Sequence, residues 1–205
     1  MDTKKKSLPA RERNEPERAS WRQQVSPLPA KQLVFVDETG SNIALTPRYG
    51  RAPKGQRAIE SVPGNRGKNT TLIASLSLEG IGASMIIEGA ANAVAFEAYV
   101  EHILVPSLVK GQIVVMDNLR VHKSARVRHL IEEQGCQLLF LPAYSPDFSP
   151  IEEAFSKVKA CLRRLKARTR EALQEAIAQA LLTVTSQDAH GWFGHCGYPS
   201  EERKR

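Results

Sequence analysis

The sequence predicts an α/β protein, a mixed β-sheet with helices packed against it. Three observations point there. Turn-rich, β-like pieces fill the first half, short apolar runs then alternate with a helical pattern, and two amphipathic stretches close the chain.

In chain order, residues 1–30 are polar, rich in Arg, Lys and Glu, and close with Pro27 and Pro29. They read as a linker or loosely helical arm, which leaves 31–205 as the domain. "QLVFVDETG" is a buried strand ending in Asp37, and the turn-rich stretch after it, to Asn69, predicts hairpins. "TLIASLSLEG" and "GASMIIEG" are strands separated by a glycine turn. A helix fits Asn92 to about Val105, where Pro106 is expected to end or kink it. "QIVVMDN" has the continuous apolar character of a strand buried on both faces. "HKSARVRHLIEEQG" reads as a helix stopped at Gly135, and "QLLFLP" as another buried strand. Ile151, Phe155, Val158, Leu162 and Leu165 recur at helical intervals. A last helix over about Thr169–Thr185 buries Leu173, Ile177, Leu181 and Val184, and the tail "GWFGHCGYPSEERKR" suggests a packed aromatic turn and a frayed end.

Composition narrows the function. At 205 residues with 41% hydrophobic and 25% charged residues, the chain has the profile of a globular protein. Its apolar runs are too short to span a bilayer, and the basic start has no apolar stretch behind it, so neither a membrane protein nor a secretory signal is indicated. Cys136, Cys161 and Cys196 are scattered and lack CxxC spacing, which fits a reducing, cytoplasmic setting and argues against a disulfide framework or a zinc cluster. The net charge is +7. Phe155–Arg170 holds seven bases and no acid, and Arg48–Lys68 holds six bases against Glu60 alone. Such clusters suit a phosphate-backbone partner; a solvated face is the plainer alternative. "GNRGKNT" is too short for a phosphate-binding P-loop and precedes a strand instead of following one.

Asp37 and Asp117 each end an apolar strand-like run, and Glu152 opens the helix after a third such run. Open α/β sheets commonly place ligands at such strand ends. Three carboxylates meeting from separate elements would suit two hard divalent cations, which prefer oxygen ligands and relieve the repulsion between acids. Each acid also has an ordinary explanation. Asp37 suits a turn, Asp117 a helix cap, and Ser149-Pro150-Ile151-Glu152 a capping box. Glu153 is about 100° of helix rotation from Glu152 and cannot serve the same ligand position.

"VFVDETG", "IVVMDNLRVHKS" and "LLFLPAYSPDFSPIEEAFSKVK", in that order, resemble the catalytic blocks of Tc/mariner-related bacterial insertion-sequence transposases of the DDE superfamily. The resemblance runs from about Leu33 to the end and includes "YGRAPKGQR" and "HCGY". Thirty-four residues separate Asp117 from Glu152, the spacing of one large branch of that superfamily, and this picks Glu152 over Glu153. The resemblance implies a ribonuclease-H-like fold and two Mg2+ or Mn2+ ions. Asp37 would contact both ions, Asp117 one and Glu152 the other. It implies cleavage of double-stranded DNA at inverted-repeat ends, then attack of the freed 3′-hydroxyl on target DNA, commonly at a TA step.

His122 occupies the place of a recurring histidine and would help position DNA; a surface histidine at a helix start is the alternative. Lys159, Arg163, Lys166 and Arg170 fall near one side of the helix after Glu152 and are expected to grip DNA phosphates, with Arg51 and Lys54 serving from the other cluster. Full transposases of this type carry a helix-turn-helix region that about 30 polar residues cannot build. The chain therefore reads as a catalytic half, its DNA-recognition half separately encoded or lost, with a homodimer left open. An inactive DNA-binding remnant and a different ribonuclease-H-like nuclease are the competing readings.

Overall fold

The computed structural model describes residues 10–47 and 49–198. Its centre is a five-stranded mixed sheet in the order β3-β2-β1-β4-β5. β1 (Leu33–Ser41) pairs antiparallel with β2 (Thr70–Ser77), which pairs antiparallel with β3 (Gly80–Glu88). On its other side β1 pairs in parallel with β4 (Ile113–Met116), and β4 in parallel with β5 (Gln137–Phe140). The two short strands are the continuous apolar runs of the sequence, as befits strands covered on both faces.

Side-chain alternation sorts the strands between two cores. Leu33, Phe35, Ile113 and Val115 face α1 (Glu15–Val25), α5 (Pro150–Leu165), α6 (Arg170–Leu181) and α7 (Ser186–His195). Val34, Val36, Val114 and Met116 face the opposite core, shared with α2 (Ala93–Tyr99), α3 (Val105–Ser107) and α4 (Ala125–Glu133). α5 packs against β1 and β2 by burying Ile151, Phe155, Val158 and Leu162. Leu165 departs from the predicted stripe. It is 43% exposed because Lys166, at φ 52°, turns the chain into the left-handed region and ends the helix there.

Four sequence expectations are corrected. The segment read as an arm contains α1, opened by the Asn14 cap and a proline in its first turn, with Trp21 and Val25 in the core. Its polar composition hid this, since only two large apolar side chains carry the packing. No hairpin forms between β1 and β2: the described residues of 42–69 make only turns and bends. From Tyr49 to Asn69 all are exposed but half-buried Pro63, so extended pieces there have no face to bury. Pro106 does not end its helix. A π-helical turn over Val100–Leu104, with the Val105 N–H donating to the Val100 carbonyl, admits it before the helix stops at Ser107. The tail before Pro199 is the helix α7, capped reciprocally by Thr185 and Asp188, and it buries Phe193 with Tyr198 after it. The predicted frayed end lies outside the described residues.

Candidate active site

β4 and β5 stop where β1 continues. Val36 pairs with Met116, so the next positions on the two neighbouring strands are Asp37 and Asp117. Asp37 is thus not at a strand end, as the sequence suggested. It lies mid-strand in β1, paired on its other side with Ala74 of β2. Both aspartates continue the alternation of Leu33–Phe35 and Ile113–Val115, and so point to the sheet face on which α5 lies. Glu152 stands in the first turn of α5 and lines the same cavity as Asp37 and Asp117, a cleft of about 1020 Å³.

The ordinary explanations of these acids can now be weighed. Asp37 accepts a hydrogen bond from the Glu38 N–H (2.8 Å) but sits within a strand, not a turn. Asp117 does organise the loop after β4, with Oδ1 accepting from the Leu119 N–H at 3.0 Å. Ser149 occupies the N-cap of α5, yet its side chain makes no capping bond, and the capping box does not form. Glu152 is exposed toward the cleft, whereas its neighbour Glu153 turns toward α7 and pairs with His195 at 3.2 Å.

The electrostatics are one-sided. Burial pushes the Asp37 carboxyl up to about 7, and the negative charges of Glu152, Asp117 and Glu38 add to the rise against the Glu38 N–H bond. No basic side chain among the described residues forms an ion pair with Asp37 or Glu152. Arg120 also lines the cleft, but among the described residues His122 is the cation-capable group bonded to this cluster, and here the structure corrects the sequence reading. His122 is fully buried and has no surface to offer DNA. Its ring packs on Phe96 with centroids 4.3 Å apart, Nδ1 meets Asp117 Oδ1 at 2.5 Å, and Nε2 meets Glu38 Oε1 at 3.1 Å. Burial alone would lower its pKa, but the bonds to Asp117 and Glu38 overcome this and raise it to about 9. His122 therefore fixes Asp117 from behind. Glu38, which alternation sends to the opposite face, was not singled out from the sequence; its place beside Asp37 was the available signal.

Among the described residues, no three His, Cys, Asp or Glu side chains gather tightly enough to hold one ion. A division of three acids over two ions asks only for pairs. A buried carboxylate with acidic neighbours and no basic partner is a donor set suited to hard divalent cations. The residues present thus fit Mg2+ or Mn2+ in their chemistry.

The basic residues divide. Lys166 pairs with Glu60 at 2.8 Å and Arg170 with Glu88 at 2.7 Å, so both predicted DNA contacts have partners within the chain. Lys159 and Arg163, half-buried on α5, and the exposed Arg51 and Lys54 form no ion pair among the described residues. Tyr144 stands at the cleft rim with a left-handed backbone (φ 55°) and an exposed ring.

The mixed sheet in the order β3-β2-β1-β4-β5, with acids lining a cleft at one end, has the ribonuclease-H-like fold. The DDE superfamily endonuclease family matches residues 32–174, and the chain belongs to that family. No curated protein sequence matches it. Among solved structures it is similar to a pre-cleavage Mos1 transpososome, with a TM-score of 0.74 and 18% identity over 97% of this chain and 64% of that one. The Mos1 mariner paired end complex with Mn gives 0.71 and 20% over 97% and 64%. The isolated catalytic domain of Mos1 mariner transposase gives 0.64 and 16% over 95% and 91%. The chain thus spans 64% of the transposase chains in those two complexes but nearly all of the catalytic domain. No helix among the described residues is long and apolar enough to cross a membrane.

Proposed function

We propose that this chain is the catalytic part of a DNA transposase, cutting double-stranded DNA at inverted-repeat ends and joining the freed 3′-hydroxyl to target DNA. The observation that carries the reading is the cleft itself. Acids from β1, from the loop after β4 and from the first turn of α5 line one cavity, and among the described residues Asp37 forms no ion pair with a base. Mos1 structures with Mn and with Mg support the choice of ion.

Asp37 would contact both ions, Asp117 one and Glu152 the other. Bound there, the ions supply activation of the attacking oxygen and stabilisation of the leaving oxygen. The chain's own part is placement. β1, held by strands on both sides, fixes Asp37. His122 and the Leu119 N–H fix Asp117, and the first turn of α5 carries Glu152. Lys159 and Arg163 on α5, with Arg51 and Lys54, lie free to meet phosphates. We assign recognition of the element ends to a helix-turn-helix region outside the catalytic part, and a homodimer as the working assembly.

Two assays test this. Purified chain should nick supercoiled plasmid with Mg2+ or Mn2+, and should join a pre-cut inverted-repeat end bearing a 3′-hydroxyl to plasmid DNA. Chelation or Asp37→Asn should abolish both while the protein stays folded. Cleavage without joining would point to another ribonuclease-H-like nuclease. A folded chain that binds DNA yet does neither with either ion would sink the proposal.

A further inference from the structure

We infer that Arg18 of the N-terminal helix is a positioning residue for the site, holding, through Asp147, the loop that delivers Glu152. This rests on the reading of Glu152 as a metal ligand. The loop runs through a 3-10 turn, Pro146–Phe148, into Ser149 and the first turn of α5. No side-chain cap fixes that first turn, because Ser149 makes none and no capping box forms; the buried Pro150 and Ile151 seat it on the core. The remaining control over the aim of Glu152 is set one step earlier.

Arg18 is 2% exposed and grips Asp147 with both arms, Nη1 donating to Oδ1 at 3.0 Å and Nη2 to Oδ2 at 2.6 Å. Its guanidinium lies 3.9 Å from the centroid of the next side chain, Phe148. One turn along α1, the Trp21 indole N–H donates to the Tyr198 hydroxyl (3.1 Å), which donates to the Phe148 carbonyl (2.8 Å). Segments from both ends of the chain therefore clasp two consecutive residues, Asp147 by its side chain and Phe148 by its ring and backbone.

The clasp sits at the margin of the core, where the Phe148 ring is buried (4% exposed) but the Asp147 side chain is half-exposed. A cavity of about 600 Å³, lined by Trp21, Arg22, Asp147, Phe148, His195 and Tyr198, opens on that side of the loop. Directional bonds on that side add to the buried Phe148 ring in holding the loop. A two-armed arginine–carboxylate pair fixes orientation as well as distance, which a single bond does not. The N-terminal helix is then part of the catalytic apparatus, although none of its residues lines the acidic cleft.

Arg18→Met removes the grip from the buried side. Asp147→Asn removes its charge from a side chain that is 50% exposed, and so decides the matter if Arg18→Met fails to fold. Amide hydrogen exchange over residues 145–152 should quicken roughly tenfold or more in both variants. Mn2+ affinity, followed by titration, should fall on the order of tenfold, with Arg18→Lys recovering part of it. Placed in a Glu152→Gln background, neither variant should weaken Mn2+ binding further. Wild-type exchange and affinity in the folded variants would overturn the inference. So would an equal loss of affinity with Glu152 already replaced. If the wild-type protein binds Mn2+ no better than Glu152→Gln, the metal reading falls instead, and the exchange rates alone decide whether Arg18 holds the loop.

Discussion

The cleft and the basic surface treat charge in opposite ways. At the end of β4, Asp37, Asp117 and Glu152 face one cavity without an ion-paired lysine or arginine, and Asp37 is pushed up to about 7 by burial and its acidic neighbours. Along α5 and the segment before β2, bases that look unbalanced in the sequence find acids from afar. Lys157 meets Asp188, Lys166 meets Glu60, and Arg170 and Lys68 share Glu88. Exposed pairs of this kind contribute about 0–1 kcal/mol each. Asp37, partly buried among acids and without an ion-paired base among the described residues, works against the fold. Charge that costs stability marks the chemistry, and charge that is balanced shapes the surface.

The contrast is most open to breakage at two adjacent acids. Glu152→Gln should cut metal-dependent DNA nicking by on the order of a hundredfold to a thousandfold. Glu153→Gln, which only frees His195, should stay within about twofold of wild type by the same assay. Equal losses would mean that the cleft does not distinguish them.

His122→Phe removes both bonds that hold Asp117 and Glu38 from behind. Activity should drop about 10–100-fold with the added ring still packed near Phe96, while plasmid binding without metal stays unchanged. A loss of DNA affinity instead would restore the role first read for this histidine.

On the basic face, Lys159→Ala with Arg163→Ala should lower the slope of log affinity against log salt by about 1.8, near 0.9 for each phosphate left without its cation. Lys166→Ala with Arg170→Ala should change it less, since those charges already have partners. Fluorescence anisotropy over a salt series measures both.

The smallest effect belongs to Asp188. The Lys157 ammonium and the Thr185 N–H and hydroxyl hold its carboxyl down at about 2. A depressed carboxyl stabilises the fold above the ordinary carboxylate range and loses that contribution as pH falls toward 2. Asp188→Asn should therefore flatten the fall in Tm between about pH 4 and pH 2 by no more than about 3 °C in a thermal scan.

Strands and helices were largely legible because each buries enough apolar surface to leave a periodic trace. Val34, Val36, Val114 and Met116 announce β1 and β4 without help, and Ile151 to Leu162 announce α5. α1 escaped because only Trp21 and Val25 anchor it to the core and the rest of its attachment is polar. Arg18 and Trp21 bind through Asp147 and Tyr198, which lie 129 and 177 positions further on, and no local pattern registers a partner that distant. The three acids could be nominated from their places after apolar runs, but not their convergence. That follows from the β1–β4 register, which sets Asp37 beside Asp117. His122 looked like a helix-start residue because its burial depends on Phe96 and Glu38, neither adjacent in the chain. The ion pairs of Glu60 and Glu88 were hidden for the same reason.

The placement of Asp37 in the middle of β1 has a consequence for copies of this gene that accumulate mutations. Exchanging that aspartate for its amide keeps the size of the side chain and removes the charge that burial and acidic neighbours oppose, so the product should fold as well as its parent. Quality control that senses unfolded chains has nothing to detect in it. If Asp37 is the metal ligand proposed above, disabled descendants would persist at full abundance beside working ones, and how much intact protein a cell contains would say little about how often its DNA is rearranged.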